Sequence, residues 1–163
     1  MLYDSPGRTG VKIAEATYAE LVRNPLVVAV KDAVGDFDRG AWLMRETGIK
    51  FYSGDDAANL GWLAYGASGI VSVVSHAASR AYADMVAAVD AGNLPEARAI
   101  NTRLLPAVKA MMTHTQGAIT AKVALQLLGV LEHRTMRAPL PDATDEEVAI
   151  VRAGLVASGL LES

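Results

Sequence analysis

The sequence predicts an α/β fold in which four parallel strands are followed by a run of helices. In the first half of the chain, strand, loop and helix patterns recur with a period of roughly 20 residues, which is typical of parallel sheets. The predicted strands end at Tyr3, Val30, Ser53 and Val74. After Ser75 only helical patterns remain. Such a topology places the carboxyl ends of all the strands, and the loops that follow them, along one edge.

The clearest strand is the Val-rich run Leu26–Val30, which is expected to be buried on both faces. A helix is predicted over Phe37–Thr47, with Asp36 as its N-cap and Gly48 just beyond its end. Thr144 with a glutamate three residues later predicts a capping box for the last helix. The other predicted helices are Glu15–Arg23, Ala57–Tyr65, Ala77–Ala91, Leu94–Met112, Ala118–Leu128 and Glu146–Ser158.

Composition excludes several classes of protein. Apolar residues make up 52% of the 163 residues, which argues against disorder, and there is no cysteine for disulfides or thiolate metal sites. The net charge of −3, without a basic block, argues against nucleic acid as the main partner. No apolar stretch approaches the roughly 18 residues of a membrane span, and no signal peptide is visible. We therefore expect a cytoplasmic protein without a membrane partner.

Lys31 closes the Val-rich run, where the surrounding core penalises a charge. The ammonium group of Lys31 can extend to solvent or form an ion pair. Alternatively, it can lose its proton and become a nucleophile that forms a Schiff base with a carbonyl. Position alone favours the first two outcomes over catalysis. Tyr3 and Arg8 are predicted at the same edge, as a phenol that can relay protons and a guanidinium that can bind a carboxylate. The three together suit a keto acid, whereas each alone has a purely structural interpretation.

No other motif indicates a site. The sequence has no glycine-rich phosphate loop, no HExxH and no GxSxG pattern. The histidines His76, His114 and His133 lack metal-ligand spacing, and Asp55-Asp56 is interpreted as a solvated pair rather than a metal site. We expect no metal and no cofactor.

The strand count leaves two architectures open. A complete (β/α)₈ barrel takes about 250 residues, so four strands form at most half of one. A small doubly wound sheet is the alternative, although it would leave apolar edge strands poorly protected.

Four segments resemble the 4-hydroxy-tetrahydrodipicolinate synthase (dihydrodipicolinate synthase) family, in its order and spacing, and the similarity continues through the rest of the chain. The segments are Tyr3–Thr9, Val28–Ala33, Tyr52–Asp56 and Gly66–Val73. The resemblance implies the C-terminal half of a (β/α)₈ TIM barrel with a C-terminal helical extension. Residues 1–75 would form the half barrel, and residues 76–163 the last barrel helix and the helical domain.

The resemblance also implies roles for individual residues. Lys31 lies where the family has the lysine that forms an imine with pyruvate, and Tyr3 where it has the proton donor and acceptor. Arg8 lies where the carboxylate of aspartate semialdehyde is bound, and Val71 where a backbone carbonyl contacts the pyruvate moiety. Gly54 and Asp55 lie where residues of the family line the mouth of the same site.

The implied reaction is an aldol condensation of pyruvate with L-aspartate semialdehyde, in lysine and diaminopimelate biosynthesis, by a homotetramer. The family's first four strands precede Tyr3, and they carry part of its proton relay, so we expect this chain alone to be an incomplete enzyme. Two alternatives remain at this point. One is another pyruvate-dependent aldolase, similar to N-acetylneuraminate lyase, and the other is a non-catalytic half barrel that serves as an assembly partner.

Overall fold

Four parallel strands form the centre of Met1–Ser72, the first of two units into which the chain divides. The computed structural model describes residues 1–162. The strands are hydrogen-bonded in chain order, β1-β2-β3-β4, and every pair is parallel. The predicted α/β fold with four parallel strands is confirmed. The strands are β1 (Leu2–Asp4), β2 (Ala29–Asp32), β3 (Lys50–Ser53) and β4 (Gly69–Ile70).

The connections between these strands contain short helices whose ends follow local signals. The predicted bounds of α3 are confirmed, because the Asp36 side chain accepts the Arg39 N–H at its start and Gly48, at φ 67°, ends it. The loop after β1 contains the one-turn helix α1. The helices are α1 (Pro6–Thr9), α2 (Glu15–Leu21), α3 (Phe37–Thr47) and α4 (Asn59–Ala64), with a 3₁₀ turn at Asp56–Ala58.

One face of the sheet packs against these helices and forms the core of the unit. Val30 pairs with Leu2 on one side and with Phe51 on the other. Val30 and Phe51 belong to the buried apolar cluster of this unit, and the partly buried Leu2 packs against it. The Trp62 ring centroid lies 5.4 Å from that of Phe51, and Trp62 is fully buried. Successive side chains on a strand point to opposite faces, so the residues next to this row in sequence point away from the helices.

Strand β2 starts three residues later than predicted, at Ala29 rather than Leu26. The preceding amides are held by Asn24: its side chain accepts the Leu26 N–H at 3.0 Å and its carbonyl the Val27 N–H at 2.9 Å. Leu26 and Val28 are therefore 81% and 60% exposed, and the prediction that the whole run is buried was wrong. The shift also places Lys31 inside the strand rather than after it.

Strand β4 is also shorter than predicted and ends at Ile70 instead of Val74. The Val71 N–H still donates to the Ser53 carbonyl at 2.7 Å. Beyond it, the carbonyls of Val73 and Val74 accept N–H groups from the first turn of the next helix, so they do not pair with a strand.

The second unit, from Val73 onward, is helical. It contains α5 (Ser75–Asp90), α6 (Leu94–Met112), α7 (Gly117–Leu127) and α8 (Asp145–Ala157). The predicted capping box of α8 is confirmed, because Thr144 and Glu147 each accept the other's backbone N–H. Among residues 1–162, no helix combines the length and the apolar composition needed to cross a bilayer.

Helices α6 and α8 meet at a proline and a glycine. A side chain at Gly154 of α8 would collide with the Ala110 side chain and the Pro106 carbonyl of α6. Pro106 lies inside α6 and cannot donate a backbone hydrogen bond there. The next amide, that of Ala107, donates instead to the Ser158 hydroxyl at 2.9 Å, so α8 supplies a partner beside the proline.

Candidate active site

The candidate site lies on the sheet face opposite the core. Tyr3, Lys31, Tyr52 and Gly69 are partners across the four strands, one residue from each. Because these positions alternate with the core-facing row of Leu2, Val30 and Phe51, their side chains belong to the other face. The pairing therefore places a phenol in register on each side of Lys31.

Lys31 and Tyr3, predicted from the sequence to lie at one edge, are in direct contact. The Lys31 Nζ lies 4.4 Å from the centroid of the Tyr3 ring, within the range of a cation–π interaction. Lys31 is partly buried, whereas Tyr3 is 49% exposed. A lysine amine can form an imine with a carbonyl compound, and a phenol can donate or accept a proton, so the two groups in contact suit imine chemistry.

The Lys31 stem lies against Gly54, just beyond the end of β3. A Cβ atom built on Gly54 would lie 2.8 Å from Lys31 Cγ and 3.0 Å from Cε. The Gly54 N–H donates to the Asp32 carbonyl at 2.6 Å, which joins the two strand ends. Sequence reasoning assigned Gly54 only to the mouth of the site, since its contact with Lys31 depends on strand pairing.

A buried carboxylate supports the loop between β1 and α2. Asp4 is 1% exposed, and it accepts the Ile13 N–H and the Tyr18 hydroxyl, each at 3.1 Å. The Arg39 guanidinium donates to the same carboxylate at 3.4 Å and also to the Ile13 carbonyl. Burial and the Asp4 carboxylate raise the pKa of Tyr18, so its hydroxyl remains a donor.

The turn after Lys31 is built on Asp32. Its carboxylate accepts the backbone N–H groups of Val34 at 3.0 Å and Gly35 at 3.1 Å. Burial raises the pKa of the Asp32 carboxyl, although these two hydrogen bonds oppose the rise. The side chain thus shapes the loop at the carboxyl end of β2, directly beyond the lysine.

Arg8 and Val71 lie farther along the loops at the same edge of the sheet. Arg8 occupies the last turn of α1, and no described residue forms a hydrogen bond or ion pair with its exposed guanidinium. Val71 directly follows β4 and is 37% exposed. Lys31 and Tyr3 are thus in contact, whereas Arg8 and Val71 are placed by the loops after β1 and β4.

The aspartates after β3 make local hydrogen bonds. Asp55 accepts the Ala57 N–H at 3.0 Å and caps the 3₁₀ turn. Asp56 is buried rather than solvated, because it accepts hydrogen bonds from Asn59 and Ser72. Within residues 1–162, no three histidine or acidic side chains are grouped to hold a metal ion.

Comparison with known proteins identifies relatives along almost the whole chain. Residues 1–157 match the model of the dihydrodipicolinate synthetase family. A 4-hydroxy-tetrahydrodipicolinate synthase of Kineococcus radiotolerans is 58% identical over 98% of this chain and 52% of the relative. A second, from Bifidobacterium animalis subsp. lactis, is 44% identical over 99% of this chain and 53% of the relative. The chain spans about half the length of the curated relatives it matches.

Solved structures give the same result. The lysine-bound synthase of Cyanidioschyzon merolae superposes with a TM-score of 0.90 and 37% identity, over 99% of this chain and 55% of that one. A structure described as the first monomeric dihydrodipicolinate synthase variant superposes with a TM-score of 0.89 and 33% sequence identity. The match covers 98% of this chain and 54% of that one. The four strands are thus half of the eight in a TIM barrel. From its sequence and its fold, this chain belongs to the dihydrodipicolinate synthetase family.

Proposed function

We propose that this chain carries the imine-forming half of a 4-hydroxy-tetrahydrodipicolinate synthase, which condenses pyruvate with L-aspartate semialdehyde in lysine and diaminopimelate biosynthesis. The observation that carries the proposal is the contact between Lys31 and Tyr3 on the face away from the core. Membership of the family supports the choice of substrates. Neither a metal nor a cofactor enters the proposed reaction.

In the proposed reaction, the neutral Lys31 amine adds to the keto carbon of pyruvate, and loss of water gives an imine. The protonated imine accepts the electron pair that remains when a methyl proton leaves, which gives an enamine. The enamine carbon bonds to the aldehyde carbon, and the aldehyde oxygen gains a proton. The amino group of the condensed product then attacks the imine carbon, which closes the ring and releases Lys31.

The other predicted residues bind substrate or move protons. Tyr3, whose ring lies against the amine, is the proton donor and acceptor in this proposal. Arg8, whose guanidinium is exposed, can bind the carboxylate of aspartate semialdehyde through two parallel hydrogen bonds. The Val71 backbone carbonyl contacts the pyruvate moiety in this proposal.

The proposal extends to the organisation of the protein. Residues 1–75 contribute the strands of the half barrel, and residues 76–163 contribute the last barrel helix and the helical domain. We place the protein in the cytoplasm as a homo-oligomer, a tetramer by analogy with the family, although the name of one similar structure describes a monomeric variant.

Borohydride trapping with pyruvate tests the proposal without requiring turnover. Borohydride reduces a protein-bound imine to a stable amine, so peptide mass spectrometry should locate a pyruvate adduct on Lys31. Lys31→Arg should abolish the adduct. Lys50→Arg, which changes the exposed lysine of β3, is the matched control and should retain it. Absence of an adduct at millimolar pyruvate would refute the proposal and favour a non-catalytic half barrel.

A further inference from the structure

We infer that Gly54 is a positioning residue for Lys31. Because Gly54 has no side chain, the lysine stem can lie against its backbone, and this packing holds the amine over the Tyr3 ring. The chemical consequence of this packing rests on the proposed function. The packing itself does not, so the two can be tested separately.

The space at Gly54 is limited on two sides. A Cβ atom there would lie 2.8 Å from Lys31 Cγ, 3.0 Å from Lys31 Cε and 2.8 Å from the Asp32 carbonyl oxygen. The two distances to lysine carbons are shorter than the usual separation of about 3.5 to 4.0 Å for non-bonded carbon atoms, at which dispersion attraction is greatest. The distance to the carbonyl oxygen is also too short for a non-bonded contact. Any larger residue must therefore displace the lysine stem and also press on the Asp32 carbonyl of β2.

The backbone cannot yield without loss of strand pairing. The Asp32 carbonyl accepts the Gly54 N–H at 2.6 Å, and Asp32 is paired with Ser53 in the sheet. The lysine stem consists of four carbons joined by rotatable bonds, so it moves more easily than the strand backbone. We therefore expect a methyl group at position 54 to move the Lys31 amine away from the Tyr3 ring.

Backbone conformation does not explain the glycine. Gly54 lies outside the left-handed region of φ that favours glycine, unlike Gly35 at 80° or Gly48 at 67°. An alanine is thus compatible with the local dihedral angles, and the requirement for glycine arises from the contact with Lys31 and β2.

The first experiment compares Gly54→Ala with Gly7→Ala. Gly7 is the matched control, because a Cβ there meets no atom within 4 Å and its φ is also ordinary. With saturating pyruvate and borohydride, we expect the trapping rate at Lys31 to fall about 10- to 100-fold in Gly54→Ala, because small misplacements of a reacting group are costly. Gly7→Ala should trap pyruvate at the wild-type rate.

The second experiment needs no pyruvate site. Formaldehyde with a mild borohydride methylates any accessible lysine, and peptide mass spectrometry compares Lys31 with the internal references Lys12, Lys50, Lys109 and Lys122. Displacement of the stem should raise the relative rate at Lys31 several-fold in Gly54→Ala and leave the references unchanged. Gly7→Ala should give the wild-type pattern.

The outcomes separate the two proposals. If wild-type protein traps no pyruvate, the proposed function fails and methylation alone decides the inference. Unchanged relative methylation of Lys31 in folded Gly54→Ala overturns the inference, whatever the pyruvate result. If Gly54→Ala does not fold, as judged by circular dichroism, the wild-type NMR spectrum decides. Nuclear Overhauser effects between Gly54 Hα and the Lys31 Hγ and Hε protons support the packing, and their absence overturns it.

Discussion

Asp4 connects three parts of the chain immediately beside Tyr3. Its carboxylate accepts hydrogen bonds from Ile13, Tyr18 and Arg39, which lie 9, 14 and 35 positions along the sequence. The Arg39 side chain is itself nearly buried, with 7% exposed. Because a buried guanidinium without a counter-charge is costly, the stability of the first unit should depend strongly on Asp4.

We predict that Asp4→Ala lowers the free energy of unfolding by about 3–5 kcal/mol, since it leaves Arg39 buried and unpaired. Both tryptophans, Trp42 and Trp62, lie in the first unit, so urea denaturation followed by tryptophan fluorescence reports on it. Glu46→Ala, which removes an exposed ion pair with Arg45 in the same unit, is the control and should leave the midpoint nearly unchanged. Equal effects of the two substitutions would contradict the prediction.

At this scale, sequence reasoning found the residues whose chemistry is visible in their type. Lys31 and Tyr3 were predicted at one edge, and the structure places them in contact. Gly54 was assigned only to the mouth of the site, and neither its contact with Lys31 nor the Asp4–Arg39 pair was predicted. Their contacts depend on distances between strands and helices that no local sequence signal encodes.

Among the elements, α6 and α8 pack through complementary irregularities. Gly154 lets α8 approach the backbone of α6 at Pro106, and the Ser158 hydroxyl accepts the Ala107 N–H there. A buried N–H without an acceptor would be costly, so the end of α8 compensates for the proline in α6.

The capping box of α8 should make this helix sensitive to acid. The backbone N–H of Thr144 donates to the Glu147 carboxylate at 2.8 Å and, with the Thr115 side chain, lowers the pKa of Glu147 below its ordinary value. A pKa that is lower in the folded state adds stability above the unfolded value, and this stability is lost as the pH falls through the folded value.

We predict that α8 of the wild type loses protection against amide hydrogen exchange as the pH falls from about 6 to about 3, through the range of glutamate titration. Glu147→Gln keeps a carbonyl acceptor but cannot titrate. After correction for intrinsic exchange rates, the protection of α8 should therefore depend less on pH in this variant. Glu146→Gln removes a neighbouring carboxylate from the same turn and should behave like the wild type. If the pH profiles of α8 protection were identical for all three proteins, Glu147 would be excluded as the source of the pH dependence.

Helix bounds were predicted better than strand bounds, for a physical reason. Caps such as Asp36, Gly48 and Thr144 act within a few residues, so the sequence shows them directly. The start of β2 and the end of β4 instead depend on which amides find a partner in a neighbouring strand or turn. Asn24 accepts hydrogen bonds from two backbone N–H groups before β2, so the strand begins at Ala29 and not at the predicted Leu26.

Considered as a whole, the chain has half of the strands of a closed barrel. In the first unit, β1 and β4 each pair with one neighbouring strand, so one edge of each is open. Open parallel edges are templates for further pairing. The fold class and the strand count were predictable from the alternation of patterns, whereas the choice between a half barrel and an open sheet required the family resemblance.

We predict that residues 1–163 alone show little or no turnover of pyruvate and aspartate semialdehyde, because their four strands are half of the eight that close a barrel. A coupled assay against the full-length Kineococcus radiotolerans relative provides the reference rate. Adding the separately produced N-terminal half of that relative should raise the rate and shift the sedimentation coefficient. Turnover by residues 1–163 alone at the rate of the full-length relative would contradict the prediction.

The hydrogen bond from Ala107 to Ser158 has a practical consequence for anyone who trims or tags this protein. Cutting the chain after Ala157 leaves α8 intact as a helix, yet it removes the hydroxyl that satisfies an amide about fifty positions earlier. Versions of the protein made for crystallisation or fusion should therefore retain Ser158 and carry any added sequence after it.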